Sequence, residues 1–172
     1  TSSGTAALHL SLLALGIGRG DEVIMPDYVC TALLNAVGYT GASPIIAEID
    51  PLTLNIDPDD VKQRLTDRTR AIIVPHLFGL TADLDSLLAL DVPIIEDCAQ
   101  SVGAKFNGVP SGSLGELGIL STLGYRKHPS CGRDLYPIGP VLVSLTNRLA
   151  GIVRAIDHSL GRPWVSHHVL AV

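Results

Sequence analysis

The strongest constraint on the fold is a series of short apolar runs in which polar and apolar residues do not alternate. Residues 70–75 form one such run, and residues 92–96 form another that leads directly into Asp97. Runs of this kind predict strands that are covered on both faces, as in a parallel sheet. Helical segments of about ten residues separate them, which is typical of βαβ units. We therefore predict an α/β fold.

The predicted elements follow one another without an internal repeat or a linker that would separate two domains. The predicted helices are residues 6–15, 28–39, 55–65, 84–90 and 146–156. The predicted strands are residues 21–25, 44–48, 70–75, 92–96, 118–121 and 141–144. Gly16 and Gly41 are expected to end the first two helices, and Asp27 is expected to cap the second. Residues 105–110 predict an extended excursion with a turn, and residues 161–172 support no assignment.

Composition excludes several classes of function. The net charge of −5 and the pI near 5.6 argue against a nucleic-acid-binding face, which needs clustered basic residues. No apolar run reaches the roughly 18 residues that span a bilayer, and no signal peptide is recognisable. The three cysteines, Cys30, Cys98 and Cys131, are far apart and form no CxxC pair. They predict reduced thiols in a cytoplasmic protein, without a disulfide framework or a metal site.

The length of 172 residues predicts a single domain. Because the chain starts at Thr1 inside an apparent helix cap, without an initiator Met, we expect it to be an internal piece of a longer protein.

The carboxylate of Asp97 is the first candidate functional group. In open α/β sheets, ligands bind in the crevice beyond the carboxyl ends of the strands. An acid at such a place needs a cation or another partner, because it is costly to desolvate alone. A helix cap or a loop salt bridge is the structural alternative. His76 follows another strand, and it either lines the same crevice or is held by the backbone.

Three other segments carry candidate groups with open alternatives. Ser2 to Ala7 is either an anion site at a helix N-terminus, with Gly4 allowing close approach and Thr5 adding a hydroxyl, or an ordinary Ser/Thr cap. Ser121 at a strand end is a second possible phosphate ligand. Lys127 is the candidate nucleophilic lysine, with a solvated loop lysine as the alternative. Cys30 and Cys98 are interpreted as small buried apolar residues rather than catalytic thiols.

Taken in order, several motifs resemble the DegT/StrS-type pyridoxal-phosphate sugar aminotransferases, a fold-type I family. These motifs are residues 2–8, 18–26, 49–51, 55–58, 69–79, 95–100 and 112–118. The resemblance extends from residue 1 to about residue 121. It implies a three-layer αβα sandwich, the large domain of these enzymes, with the family's N-terminal segment and C-terminal small domain absent from this chain.

The resemblance also implies roles for individual residues. Asp97 would pair with the pyridinium nitrogen of pyridoxal 5'-phosphate (PLP), and Gln100 would lie near the ring hydroxyl. Gly4, Thr5 and Ser121 would bind the phosphate. The remaining expected contacts with the cofactor or its crevice come from Lys127 as the Schiff-base lysine, from Cys30 or Tyr28 where the family has a stacking aromatic, and from His76.

The implied reaction transfers an amino group from an amino acid, commonly glutamate in this family, to a keto group of a nucleotide-linked sugar. A homodimer is expected by analogy.

Alternatives to an active aminotransferase follow from departures around the lysine. The family lysine lies five residues after the phosphate serine, but that position is Arg126 here and Lys127 is one residue later. A frame disruption or insertion within residues 122–140 would explain this shift. A non-catalytic remnant that keeps the fold is one alternative. A same-family dehydratase, in which a histidine such as His128 replaces the lysine, is another. A Rossmann-like nucleotide-binding domain is disfavoured, because residues 16–21 place their glycines after a helix instead of after a strand.

Overall fold

A computed structural model describes residues 3–121, 142–145 and 169–171. Its helices are α1 (Gly4–Ala14), α2 (Ala32–Thr40), α3 (Pro58–Arg64) and α4 (Leu84–Leu88), with a 3₁₀ turn at Leu77–Gly79. Its strands are β1 (Glu22–Pro26), β2 (Ser43–Ala47), β3 (Thr69–Pro75), β4 (Ile94–Asp97), β5 (Lys105–Phe106), β6 (Val109–Pro110), β7 (Leu117–Leu120), β8 (Leu142–Leu145) and β9 (Val169–Ala171).

The main sheet is predominantly parallel, as the unalternating apolar runs predict. Its strand order is β2-β1-β3-β4-β7-β8-β9. The five strands from β2 to β7 are parallel to their neighbours, whereas β8 and β9 are added in antiparallel orientation. Strands β1, β3 and β4 are buried along nearly their whole length, because helices cover both faces. The α/β prediction is therefore confirmed.

Two separate hydrophobic clusters show that the sheet is the middle of three layers. One cluster joins Leu8 and Leu12 of α1 and Leu33 of α2 to one face of the sheet. The other joins α3 and α4 to the opposite face through Val61 and Leu84. The three-layer αβα arrangement implied by the family resemblance is confirmed.

The side chains of successive strand residues point to opposite faces of the sheet, and this alternation assigns each residue at the end of β4 to one face. Ile95 belongs to the cluster under α1 and α2, whereas Ile94 belongs to the cluster under α3 and α4. Asp97 therefore shares the α1 face with Ile95, and Glu96 lies on the α3 face. We refer to these below as the α1 face and the α3 face.

The predicted start of α2 is wrong. The sequence suggests a helix from residue 28 capped by Asp27, but α2 begins at Ala32 and its N-cap is Thr31. The N–H of Asp27 donates to the carbonyl oxygen of Ala47 at 2.9 Å, so Asp27 continues the pairing of β1 with β2. The residues between Asp27 and Thr31 consequently form an irregular connection at the end of β1.

The helix predicted at residues 55–65 begins three residues later than expected, at Pro58, and several turn signals are realised where they were expected. Gly16 and Gly41 adopt left-handed backbone conformations after α1 and α2. Residues 105–110 form the hairpin β5–β6, with positive φ at both residues of its Asn107-Gly108 turn. The predicted helix at residues 146–156 lies outside the described residues, and β9 forms where the sequence supported no assignment.

Within the described part of the chain, no helix has both the length and the apolarity needed to cross a bilayer.

Candidate functional site

Asp97 ends β4 at the carboxyl edge of the sheet. Asp97 is only 9% exposed, and its Oδ1 accepts a hydrogen bond from the N–H of Ala99 at 3.0 Å. Burial raises the pKa of the Asp97 carboxyl, and the hydrogen bond from Ala99 does not offset this effect. The folded chain therefore holds an acid whose charge is under-compensated, and a cationic ligand group would relieve that condition.

The N-terminus of α1 lies next to Ser121 on the same face of the sheet. Ser3 caps the helix by accepting a hydrogen bond from the N–H of Ala6 at 3.1 Å. Gly4 is the first helical residue, and a Cβ placed on it would lie 3.4 Å from both Cβ and Oγ of Ser121. The Ser/Thr cap and the close approach at Gly4 thus coexist. Backbone N–H groups that precede the first intrahelical hydrogen bond are available to an anion at this place.

The sheet register places Asp97 and Ser121 at the same edge. Asp97 pairs with Ile119 across β4 and β7, and Ser121 is the second residue beyond Ile119. Ile119 packs in the cluster on the α1 face, so Ser121, two positions on, faces the same side. The structure therefore brings together Asp97, Ser121 and the start of α1 with Gly4 and Thr5. An acid and an anion-binding turn on one face fit a ligand with a basic ring at one end and a phosphate at the other.

Three other predicted cofactor contacts, Gln100, Tyr28 and Cys30, are exposed groups in connections that follow strands β4 and β1. Gln100 is exposed, and its Oε1 accepts a hydrogen bond from the N–H of Phe78 at 3.4 Å. Tyr28 is 51% exposed and Cys30 is exposed, both in the irregular connection after β1. Lys127 lies outside the described residues. The roles of these four residues stay predictions.

The structure places the side chain of His76 on the α3 face, where it contacts Glu96. Its Nε2 lies 3.0 Å from Oε2 of Glu96, and its Nδ1 accepts a hydrogen bond from the N–H of Ala82 at 3.1 Å. Because Nδ1 acts as an acceptor, the proton of a neutral imidazole belongs on Nε2 and is donated to Glu96. This placement favours the interpretation of His76 as a structural histidine.

Glu96 is the functional group that sequence reasoning missed. Its carboxylate is fully buried and accepts four hydrogen bonds, two on each oxygen. Oε2 accepts from His76 and from the N–H of Gly112 at 2.7 Å, and Oε1 accepts from the N–H groups of Leu114 at 2.7 Å and Gly115 at 2.6 Å. Burial raises the pKa of the Glu96 carboxyl, but these hydrogen bonds outweigh burial and hold that pKa below its ordinary value.

His76, Glu96 and Cys98 present ligand atoms within 4.8 Å of one another, which is a spacing that a metal ion could use. None of the three groups is free to bind a metal ion, however. Both imidazole nitrogens and both carboxylate oxygens are hydrogen-bonded. Burial and the negative charge of Glu96 raise the pKa of the Cys98 thiol to about 12, so a thiolate ligand is disfavoured. The arrangement is that of a buried hydrogen-bond network.

The turn after β3 has two further features without a local sequence signal. Phe78 has φ 55° and ψ 26°, which is the left-handed region, and its side chain is 66% exposed. The turn that carries it is held by the buried Asn55. Asn55 accepts a hydrogen bond from the N–H of Leu77 at 3.0 Å and donates one to the carbonyl oxygen of Leu80 at 3.2 Å.

We expect the two described cysteines to differ strongly in reactivity. The predicted burial is confirmed for Cys98 but wrong for Cys30, which is exposed in the irregular connection after β1. The Cys98 thiol has a pKa of about 12, so only about one in ten thousand would be ionised at pH 8. In a Cys131→Ser background, Ellman's reagent should label one thiol in the native chain and a second only after unfolding. Replacing Cys30 by Ser should abolish the native labelling. Rapid native labelling of Cys98 would contradict the structure.

The comparisons with known proteins agree with this geometry. The model of the DegT/DnrJ/EryC1/StrS aminotransferase family matches residues 1–130 of the chain. The chain belongs to this family. The matched region contains every element from α1 to β7, and therefore Asp97, Ser121 and the start of α1.

Curated relatives are similar along much of the chain. The pleiotropic regulatory protein of Geobacillus stearothermophilus is 37% identical over 172 residues, covering 98% of this chain and 45% of the relative. The GDP-perosamine synthase of Caulobacter vibrioides is 43% identical over 129 residues, covering 73% of this chain and 35% of the relative. The chain thus spans less than half the length of either relative.

Solved structures share the fold. DesV of S. venezuelae superposes with a TM-score of 0.74 and 34% identity, covering 97% of this chain and 44% of that one. The aminotransferase of Psychrobacter cryohalolentis has a TM-score of 0.69 and 40% identity over 70% of this chain and 32% of its own. The E. coli GDP-4-keto-6-deoxy-D-mannose-3-dehydratase, solved with bound hydrated PLP, has a TM-score of 0.66 and 31% identity over 70% and 34%. The fold is therefore that of the fold-type I PLP enzymes.

Proposed function

We propose that this chain is the cofactor-binding part of a PLP-dependent aminotransferase that moves an amino group from an amino acid, glutamate, to a keto group of a nucleotide-linked sugar. One observation carries the proposal. A buried, under-compensated carboxylate, Asp97, shares one face and one edge of the sheet with the α1 terminus that lies against Ser121. Membership of a sugar aminotransferase family supports the substrate class.

The two ends of the proposed site are suited to the two ends of PLP. Gly4 lacks the side chain that would fill the space beside Ser121, so a phosphate group can approach the first N–H groups of α1 and the hydroxyl of Ser121. The carboxylate of Asp97 would accept a hydrogen bond from the protonated ring nitrogen, and this pairing would relieve its desolvation. When bound, PLP supplies an electron sink for the substrate carbon that loses a proton.

The remaining predicted residues complete the proposed site. Lys127 would hold the cofactor covalently and move the proton, and Gln100 would hydrogen-bond the ring hydroxyl. Cys30 or Tyr28 would cover the ring. We also propose a homodimer as the active assembly, as expected for this family.

The test is a binding experiment on the purified chain. PLP should produce a visible absorbance band, and borohydride reduction followed by peptide mapping should locate the label on Lys127. Tight PLP binding without a labelled lysine would instead favour the dehydratase-like alternative, in which His128 takes the lysine's place. An intact fold, verified by circular dichroism, with no PLP binding would overturn the proposal for this chain and favour the non-catalytic remnant.

Replacing Asp97 by Asn tests the carboxylate directly. The variant keeps an oxygen for the N–H of Ala99 but loses the charge that the ring nitrogen needs, and a hydrogen bond to a charged group contributes about 1.5–3 kcal/mol. We expect PLP affinity to fall by about 10- to 100-fold. Asp67→Asn is the matched control, because Asp67 is exposed in the turn before β3, at the opposite edge of the sheet. Equal affinities of wild type and Asp97→Asn would contradict the assigned role.

A further inference from the structure

The buried carboxylate of Glu96 joins three segments that are distant in the sequence. It is hydrogen-bonded to His76, which follows β3, and to the N–H groups of Gly112, Leu114 and Gly115, which lie 16 to 19 residues further along the chain. These residues lead into β7, and Ser121 follows β7. The residue after Glu96 is Asp97. One side chain therefore fastens the segments that carry both ends of the proposed cofactor site.

This network is a costly way to fill the interior. Burying an ionised carboxylate carries a large desolvation penalty, and well-packed apolar residues often stabilise a core at least as well. The hydrogen bonds of Glu96 are directional, however, and they fix where the backbone of residues 112–115 lies relative to the end of β4. We therefore interpret the network as one that positions residues 112–115 relative to β4.

We propose that Glu96 is a positioning residue: by tying His76 and residues 112–115 to the end of β4, it holds the carboxylate of Asp97 at the distance from the Gly4–Ser121 anchor that the cofactor ring requires. The inference rests on the proposed function. It assigns Glu96 no contact with the cofactor, because its side chain lies on the α3 face, opposite to Asp97.

Weakening the hydrogen bonds of Glu96 should specifically reduce the recognition of the ring nitrogen by Asp97. A ligand anchored through its phosphate stays bound when Asp97 shifts by a fraction of an ångström, but the hydrogen bond at the ring nitrogen weakens, because charged hydrogen bonds depend on distance and direction. Loosening Glu96 should therefore affect the recognition of the ring nitrogen more than the recognition of the phosphate.

Two probes separate these effects: PLP, and its carbocyclic analogue in which the ring nitrogen is replaced by C–H. Wild type should bind PLP about 10- to 100-fold more tightly than the analogue, because only PLP can pair with Asp97. In Glu96→Gln this preference should fall below about threefold, whereas affinity for the analogue changes less than about twofold. Glu48→Gln, at an exposed glutamate just after β2, is the matched control and should keep the wild-type preference.

Each outcome decides between the two claims. If wild type binds PLP and the analogue equally, the role of Asp97 in the proposed function fails. If wild type has the preference and a folded Glu96→Gln retains it, or loses affinity for both ligands equally, the positioning role is wrong.

If Glu96→Gln does not fold, variants of His76 test the positioning role instead. His76→Leu removes one donor to Glu96 and should reduce the preference, whereas His76→Gln keeps a donor near Nε2 and should restore much of it. Unchanged preference in a folded His76→Leu would overturn the inference.

Discussion

Gly118→Ala is expected to destabilise the native state strongly. A Cβ on Gly118 would overlap the carbonyl group of Gly112, with the carbonyl carbon and Cα of that residue each at 2.6 Å. Neither backbone can yield easily. Gly118 lies within β7, between β4 and β8, and the N–H of Gly112 is hydrogen-bonded to Glu96. We expect a loss of about 3 kcal/mol or more, a large part of the stability of an ordinary domain.

Gly38→Ala provides the matched control for this prediction. Gly38 lies inside α2, without a positive φ, and a Cβ on it would meet no atom within 4 Å. Alanine there should stabilise the chain by about 0.5–1 kcal/mol, because it lowers the entropy of the unfolded state and favours the helix. Urea unfolding followed by circular dichroism measures both variants. A Gly118→Ala chain with the wild-type midpoint would show that β7 does not pack against Gly112 as described.

The layered fold follows from the sequence because its strongest signals are local. The runs at residues 70–75 and 92–96 are apolar on successive positions, and this pattern has few structural solutions other than a strand with both faces covered. Asp57, Pro58 and Gly41 mark helix boundaries through their own backbone and side-chain chemistry. The start of α2 was missed because Asp27 continues the pairing of β1 with β2 through its hydrogen bond to Ala47, a tertiary contact that has no local sequence signal.

The placement of Glu96 and Asp97 on opposite faces of the sheet was not predicted, although the strand pattern contained the information. Both acids end one strand, but adjacent strand residues face opposite sides of the sheet, so only one of them can reach the α1 face. The partners of Glu96 could not have been predicted, because Gly112, Leu114 and Gly115 are brought to it by the return of the chain into β7. The same holds for Asn55 and the turn that carries Phe78.

Glu96→Leu is expected to be strongly destabilising at neutral pH. Leucine fills a similar space but accepts no hydrogen bond, so three backbone N–H groups and the Nε2–H of His76 would lose their partner, and all but that of Leu114 are buried. An unsatisfied buried donor costs about 1–3 kcal/mol, and relaxation would relieve some of the four. We expect a total loss of at least about 3 kcal/mol. Glu96→Gln, which keeps one acceptor oxygen, should lose less.

The dependence of this loss on pH tests its cause. The pKa of Glu96 is lower in the folded chain than its ordinary value of 4.5, so the folded state binds the proton less readily than the unfolded state. The stability that ionised Glu96 contributes is therefore fully present above about pH 4.5 and is lost as the pH falls through the lower, folded value. The difference between wild type and Glu96→Gln in the free energy of unfolding should accordingly shrink on acidification. Urea titrations between neutral pH and pH 3 measure that difference, with Glu48→Gln as the exposed control. A difference that stays constant over this range would mean that the charge of Glu96 does not hold residues 112–115 in place, and that shape alone fixes this edge of the sheet.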